Sequence, residues 1–165
     1  MAGRTIEVRP ATVADAPGIA HVHVTAWREA YARQVPAEYL AALDTDRRAT
    51  SWATLIASGT TGVQVAESGG AIVGWASTGT GRDADAPVPL ELEGLYTLAS
   101  VYGSGAGQRL LDAAIGSADA YLWVMADNPR ARTFYARNGF RSDGSTKVET
   151  IGATAVEVVR LLRTA

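Results

Sequence analysis

The run Tyr102-Gly103-Ser104-Gly105-Ala106-Gly107 sets three glycines in six residues, between a strand-like stretch and a helical one. Without side chains, successive backbone N–H groups can turn toward one point, and at a helix start those groups are unpaired and sit at the positive end of the helix dipole. A pyrophosphate would be held there without any lysine, in a chain whose only lysine is Lys147. Other phosphate loops fit worse. A Walker loop ends in Gly-Lys-Ser/Thr, whereas Gly107 is followed by Gln108 and Arg109. A dinucleotide fingerprint starting at Gly103 or Gly105 needs a third small residue at position 108 or 110, where Gln108 and Leu110 stand. On the glycines alone, a phosphate cradle and a plain structural turn remain equally open.

Two carboxylates lie upstream. Strand alternation predicts Glu91, Glu93, Leu95 and Thr97 on one face, so either glutamate lines a groove or is simply solvated. His23, Trp27 and Tyr31, each four residues apart, form a helical stripe that suits a pocket wall or the edge of a core. His21 and His23 are two apart and do not share a helix face, which makes them poor joint metal ligands, and no metal is expected. The absence of cysteine excludes a thiol nucleophile, a thiolate zinc site and a disulfide scaffold. No Gly-x-Ser-x-Gly elbow supports a serine hydrolase.

The elements that must position these residues read as follows. Thr5 to Pro10 alternates as a first strand. A helix then begins at Thr12 or, preferably, Asp15, which places Pro17 in the first turn, and Ile19, Val22, Ala26 and Ala30 make its buried stripe. Pro36 opens a short helix to Leu43, and Asp44 or Thr45 caps another to about Ile56 that turns Trp52, Leu55 and Ile56 inward. Gly62–Ala66 and Ala71–Ser77 form a hairpin about Glu67-Ser68-Gly69-Gly70. Gly79–Pro89 reads as an exposed loop, Leu90–Leu98 as a strand, Gln108–Ile115 as a helix and Tyr121–Met125 as a strand. Asn128-Pro129 starts a helix that ends at Asn138-Gly139, and strands cover Phe140–Thr150 and Thr154–Leu162, the latter with Val156, Val158 and Leu161 as core. The order implies an α/β or α+β fold around a mixed sheet, as one domain over residues 1–165.

With 165 residues, 47% of them hydrophobic, the chain is long enough to bury a sizeable core. A net charge of −2 argues against a nucleic-acid partner that needs clustered basic residues. No signal core or membrane-length apolar run is present, so a soluble, cytoplasmic protein with no membrane partner is expected.

Leu95-Tyr96-Thr97-Leu98, the loop Tyr102 to Gly107, Gln108-Arg109-Leu110-Leu111 and the block Asn128-Pro129-Arg130-Ala131-Arg132-Thr133-Phe134-Tyr135-Ala136-Arg137-Asn138-Gly139-Phe140 together resemble the acetyl-CoA-binding core of the GNAT acetyltransferases. The two motif blocks span about Leu90 to Phe140, and the element order extends the likeness to nearly the whole chain. The resemblance implies a mixed, splayed sheet of about seven strands with helices on both faces, and a cofactor arm lying in the splay. It implies an N-acetyltransferase that moves acetyl from acetyl-CoA to a primary amine, on a small molecule or a peptide N-terminus, by direct transfer in a ternary complex. Tyr135 then matches the tyrosine near the cofactor sulfur and serves as general acid, and Glu91 matches a carboxylate acting as base through water, with Glu93 its rival. Backbone groups of Leu95, Tyr96 and Thr97 would meet the pantetheine arm, the backbone from Gly103 through Ser104, Gly105, Ala106 and Gly107 to Gln108 the pyrophosphate, and Asn128 the arm from the facing helix. His23, Trp27, Tyr31 and Glu93 would border the acceptor. Two departures stand out: Tyr102 occupies the position where the family has Arg or Gln, and the helix after the loop is short, which alters the adenosine end of the groove. The sequence does not show the oligomeric state; the resemblance leaves a homodimer open, since a C-terminal strand often contributes to dimers in this family. Two other readings stay open, a non-catalytic CoA-binding or regulatory domain and a transferase of longer acyl chains whose groove Trp75 or Tyr96 does not close.

Overall fold

A computed structural model describes residues 4–165. Its seven strands are β1 (Glu7–Pro10), β2 (Gly62–Ser68), β3 (Ala71–Thr80), β4 (Leu90–Thr97), β5 (Ala120–Met125), β6 (Arg141–Ile151) and β7 (Thr154–Arg163). Five helices accompany them: α1 (Ala16–Ala30), α2 (Ala37–Ala41), α3 (Thr45–Ser58), α4 (Ala106–Ile115) and α5 (Pro129–Arg137). The strands join in the order β1-β2-β3-β4-β5-β7-β6. The fold is therefore mixed α/β with one open seven-stranded sheet, as the element order implied.

Local chemistry explains the boundaries. Thr12 and Asp15 close a reciprocal capping box around one 3-10 turn, and α1 starts directly behind it with Pro17 in its first turn. Both candidate starts thus take part. The carboxylate of Asp44 accepts from the Arg47 N–H at 3.0 Å and starts α3, and Asn128 does the same for Ala131 at 3.2 Å ahead of Pro129 in α5. The β2–β3 hairpin turns on Gly69 and Gly70 alone, at φ +60° and +81°, values that only glycine adopts cheaply. The strands consequently run longer than the pattern predicts.

Ile19, Val22 and Ala26 of α1 pack with Trp52 of α3 against Val63, Val65 and Trp75 on one face of the sheet. Ala30 is exposed, contrary to expectation, because the helix ends there and Tyr31 takes over the burial. On the other face Leu110, Leu111 and Ile115 of α4 and Tyr135 of α5 pack with Ala76, Leu92, Leu122 and Val159. Each of the aliphatic side chains buried in this way contributes about 1.5–3 kcal/mol relative to exposure. Val156, Val158 and Leu161 are buried as the strand pattern predicts.

Two irregularities in β4 create the site. Ser77 pairs with Gly94 and Thr78 with Leu92, so Glu93 is an extra residue in a bulge. The bulge breaks the alternation expected of β4. Leu92 and Leu95 both pack into the core beneath α4, Thr97 lies with them against Gly74, and Glu91 and Glu93 both turn toward Arg82 on the other side. The second irregularity is the β4–β5 junction, which is parallel and registered only at Glu91–Tyr121. Every other neighbouring pair in the sheet is antiparallel. Beyond Glu91 the two strands diverge, and the edges they turn toward each other carry no ladder hydrogen bonds.

Candidate active site

The loop expected to cradle phosphate is built from the backbone. Gly103 and Gly105 adopt φ +76° and +85°, and a Cβ on either would project into open space. Gly105 is the N-cap of α4. Not all the amides are available. The Ser104 N–H is given to the Val101 carbonyl at 3.2 Å and the Ala106 N–H to Ser104 Oγ at 3.3 Å. The N–H groups of Gly103, Gly105, Gly107 and Gln108 have no partner among the described residues. The Gln108 side chain is engaged elsewhere, donating to Asp112 at 2.9 Å and Asn138 at 2.7 Å. Four unpaired donors at a helix start, with no carboxylate among them, suit a pyrophosphate.

The cradle follows the open end of the splay, beyond the end of β4 at Thr97. Tyr135 of α5 is 7% exposed, and its hydroxyl has no hydrogen-bond partner among the described residues. Burial holds its phenol above the usual tyrosine range, with Tyr31 adding repulsion. The hydroxyls of Tyr31 and Tyr96 are 2.9 Å apart, and burial pushes Tyr96 up to about 12 while the bond to Tyr31 works against it. Tyr31 at the end of α1 and Tyr96 on β4 thus form a hydroxyl pair, while Tyr135 of α5 keeps an unpaired phenol, and burial favours the neutral form of all three. Asn128 spends its carbonyl oxygen on the helix cap, which leaves its side-chain NH₂ for a ligand.

The two glutamates have separate environments. Glu91 is 2% exposed. Its carboxylate accepts from Arg82 Nη2 at 2.7 Å, Arg82 Nε at 3.1 Å, the Arg82 N–H at 3.0 Å and the Tyr121 hydroxyl at 3.2 Å. Burial would raise its pKa, but these donors outweigh burial and lower it. Both oxygens are committed at the closed end of the splay. Glu93, one bulge further toward the open end, has among the described residues only Arg82 Nε, at 3.9 Å. Burial raises its pKa, which is what a general base requires.

His23, Trp27 and Tyr31 do come together, but within a larger aromatic cluster. His23 lies 5.4 Å from Trp75 and stacks on Tyr96 at 6.3 Å, and its Nδ1 accepts from Trp52 Nε1 at 3.2 Å. Trp27 meets Tyr31 edge-on at 5.0 Å. The cluster fills the space behind Tyr96.

Sequence reasoning missed the residues on the far side of the splay. A cavity of about 530 Å³ is lined by Asp83, Asp85, Trp123, Ser145, Lys147 and Arg160. Arg160, 5% exposed, holds Asp83 at 3.2 Å, Asp85 at 3.0 Å and Asp143 at 2.6 Å. It ties the 81–89 loop to the β6–β7 hairpin. The Lys147 ammonium lies 4.1 Å over the Trp123 ring and 3.3 Å from Glu149. The signal was present: a lone arginine inside Val158-Val159-Arg160-Leu161-Leu162 must find buried partners. Among the described residues no group of three or more His, Cys, Asp or Glu is placed to hold a metal, and no helix is long and apolar enough to cross a membrane.

Comparison with known proteins agrees with this geometry. Residues 59–142 match the acetyltransferase (GNAT) domain. The chain is 30% identical over 146 residues to a protein of Mycobacterium tuberculosis named as a probable N-acetyltransferase, covering 86% of this chain and 83% of the relative. Its fold matches the PaiA N-acetyltransferase of Thermoplasma acidophilum in complex with coenzyme A, at TM-score 0.69 and 18% identity over 93% of this chain and 98% of that one. It also matches YncA of Salmonella typhimurium with its cofactor acetyl-CoA, at TM-score 0.70 and 20% identity over 96% and 92% of the two chains. A glycine cradle, a splayed sheet, a tyrosine at the splay and this kinship lead to one conclusion: the chain belongs to the GNAT family, the acetyl-CoA-dependent N-acetyltransferases.

Proposed function

We propose that this protein transfers the acetyl group of acetyl-CoA directly to a primary amine, on a small molecule or a peptide N-terminus, within a ternary complex and with no acetyl-enzyme. The observation that carries the reading is the cradle of free amides at Gly103, Gly105, Gly107 and Gln108 opening onto a splay closed only at Glu91–Tyr121. Acetyl-CoA supplies an activated acyl thioester. The cradle binds its pyrophosphate, and the unpaired β4 edge at Leu95, Tyr96 and Thr97, with the Asn128 amide opposite, binds the amides of the arm. Tyr135 donates its phenolic proton to the departing thiolate as the C–S bond breaks. Glu93 accepts the proton lost by the amine as the C–N bond forms, directly or through water. Glu91 fixes the closed end of the splay through Arg82 and Tyr121.

The packed rings of Trp75 and Tyr96, 5.3 Å apart, favour a short acyl chain. His23, Trp27 and Tyr31 back the acceptor side. A cytoplasmic location goes with the reading, since the acyl donor is a cytoplasmic metabolite. The test is thiol release from acetyl-CoA across a panel of primary amines and peptides. Amine-dependent release with a matching N-acetylated product supports the proposal. Tight acetyl-CoA binding with no amine-dependent release across the panel would make the protein a CoA-binding domain instead.

A further inference from the structure

Tyr102 and Arg130 meet across the mouth of the splay. Tyr102 is the last residue before the amide cradle, on the wall formed by β4 and α4, while Arg130 lies in the first turn of α5 on the opposite wall. The guanidinium carbon lies 3.1 Å from the centre of the Tyr102 ring, and Tyr102 is 40% exposed, so the stack sits at the surface. Other arginines near the site are spoken for. Arg82 holds Glu91, Arg109 donates to the Ile6 carbonyl, Arg132 to the Ala126 carbonyl and Arg160 to three aspartates. Arg130 has neither an ion pair nor a hydrogen bond among the described residues, and only the ring positions it.

A guanidinium without an anion of its own, beside amide donors without acceptors, forms one electrostatic site. We propose that Arg130, oriented by Tyr102, binds the phosphate groups of the acyl donor, so that the loop position held by an uncharged Tyr102 acquires its positive charge from α5. A planar guanidinium matches phosphate oxygens in bidentate fashion, and its ring contact limits the rotamers it must give up on binding. The same contact bridges the two walls, so the donor's phosphates engage both at once. The proposal rests on the reading of acetyl-CoA as donor.

Calorimetric titration of the full chain with CoA, dephospho-CoA and pantetheine, at about 50 and about 300 mM salt, tests it. Arg130→Gln should weaken CoA about ten-fold and flatten the salt dependence of binding, since one charge-assisted contact is lost. Tyr102→Leu should lose part of that affinity and Tyr102→Phe, which keeps the ring, should regain it. If the Arg130→Gln penalty persists with dephospho-CoA the contact is to the pyrophosphate, and if it vanishes the contact is to the 3′-phosphate. Either supports the proposal. Arg130→Gln within two-fold of the parent for CoA overturns it, as does an equal loss for pantetheine, which has no phosphate. Melting curves of all three surface variants should match the parent's. Failure of the parent itself to bind CoA would instead refute the donor assignment.

Discussion

His23 makes the stability of this protein fall in mild acid by a calculable amount. Burial among Trp27, Trp52, Trp75 and Tyr96, assisted by the charge of Arg48, lowers its pKa from 6.5 to about 4. Its Nδ1 must stay unprotonated to accept from Trp52. Between those two values the unfolded chain binds a proton that the folded chain refuses, so stability falls as pH falls through the window and is nearly complete above 6.5. From about pH 7 to about pH 4.5 the imidazole alone costs about 2 kcal/mol. His23→Asn can keep an acceptor for the Trp52 indole without titrating in this range. Urea unfolding followed by tryptophan fluorescence, on parent and variant at both pH values, isolates the effect, because carboxylate contributions cancel in the difference. The parent should lose about 2 kcal/mol more than the variant on acidification. Equal losses would show that His23 is protonated in the folded state and that the aromatic cluster is open to water.

Further outcomes follow from the site. Tyr135→Phe should lower kcat by about 10² to 10⁴ with CoA affinity retained, measured by thiol release and calorimetry. Glu93→Gln should reduce kcat/KM most at neutral pH and partly recover at high pH, where free amine is abundant, whereas Glu91→Gln should keep the parent's pH profile and lose about 1–3 kcal/mol of stability in a urea melt. Gly105→Val forces a β-branched residue to φ +85° in the cradle. It should lower the melting temperature and abolish the stabilisation by CoA that mass action gives the parent.

The elements that local chemistry controls were legible from the sequence. Asp44, Asn128-Pro129 and the Gly69-Gly70 turn each satisfy or free particular backbone groups, and each marks its boundary within a few residues. The glycine cradle was legible for the same reason. What depends on a partner strand was not. The bulge at Glu93 follows from the β3–β4 register, so the face assigned to Leu95 and the relative suitability of the two glutamates could not be read from alternation within β4. Arg82 lies in a loop whose composition suggested full exposure, yet its guanidinium neutralises a nearly inaccessible carboxylate from nine residues away. The Tyr31–Tyr96 pair joins residues 65 positions apart, a contact set by how α1 crosses the sheet.

A crystal structure of the chain with CoA tests the central assignment most directly. Pyrophosphate oxygens should lie within about 3 Å of the amide nitrogens of Gly103, Gly105, Gly107 and Gln108, with the arm between β4 and β5 and the sulfur beside the Tyr135 hydroxyl. A pyrophosphate bound away from α4, or a sulfur facing away from Tyr135, would contradict it.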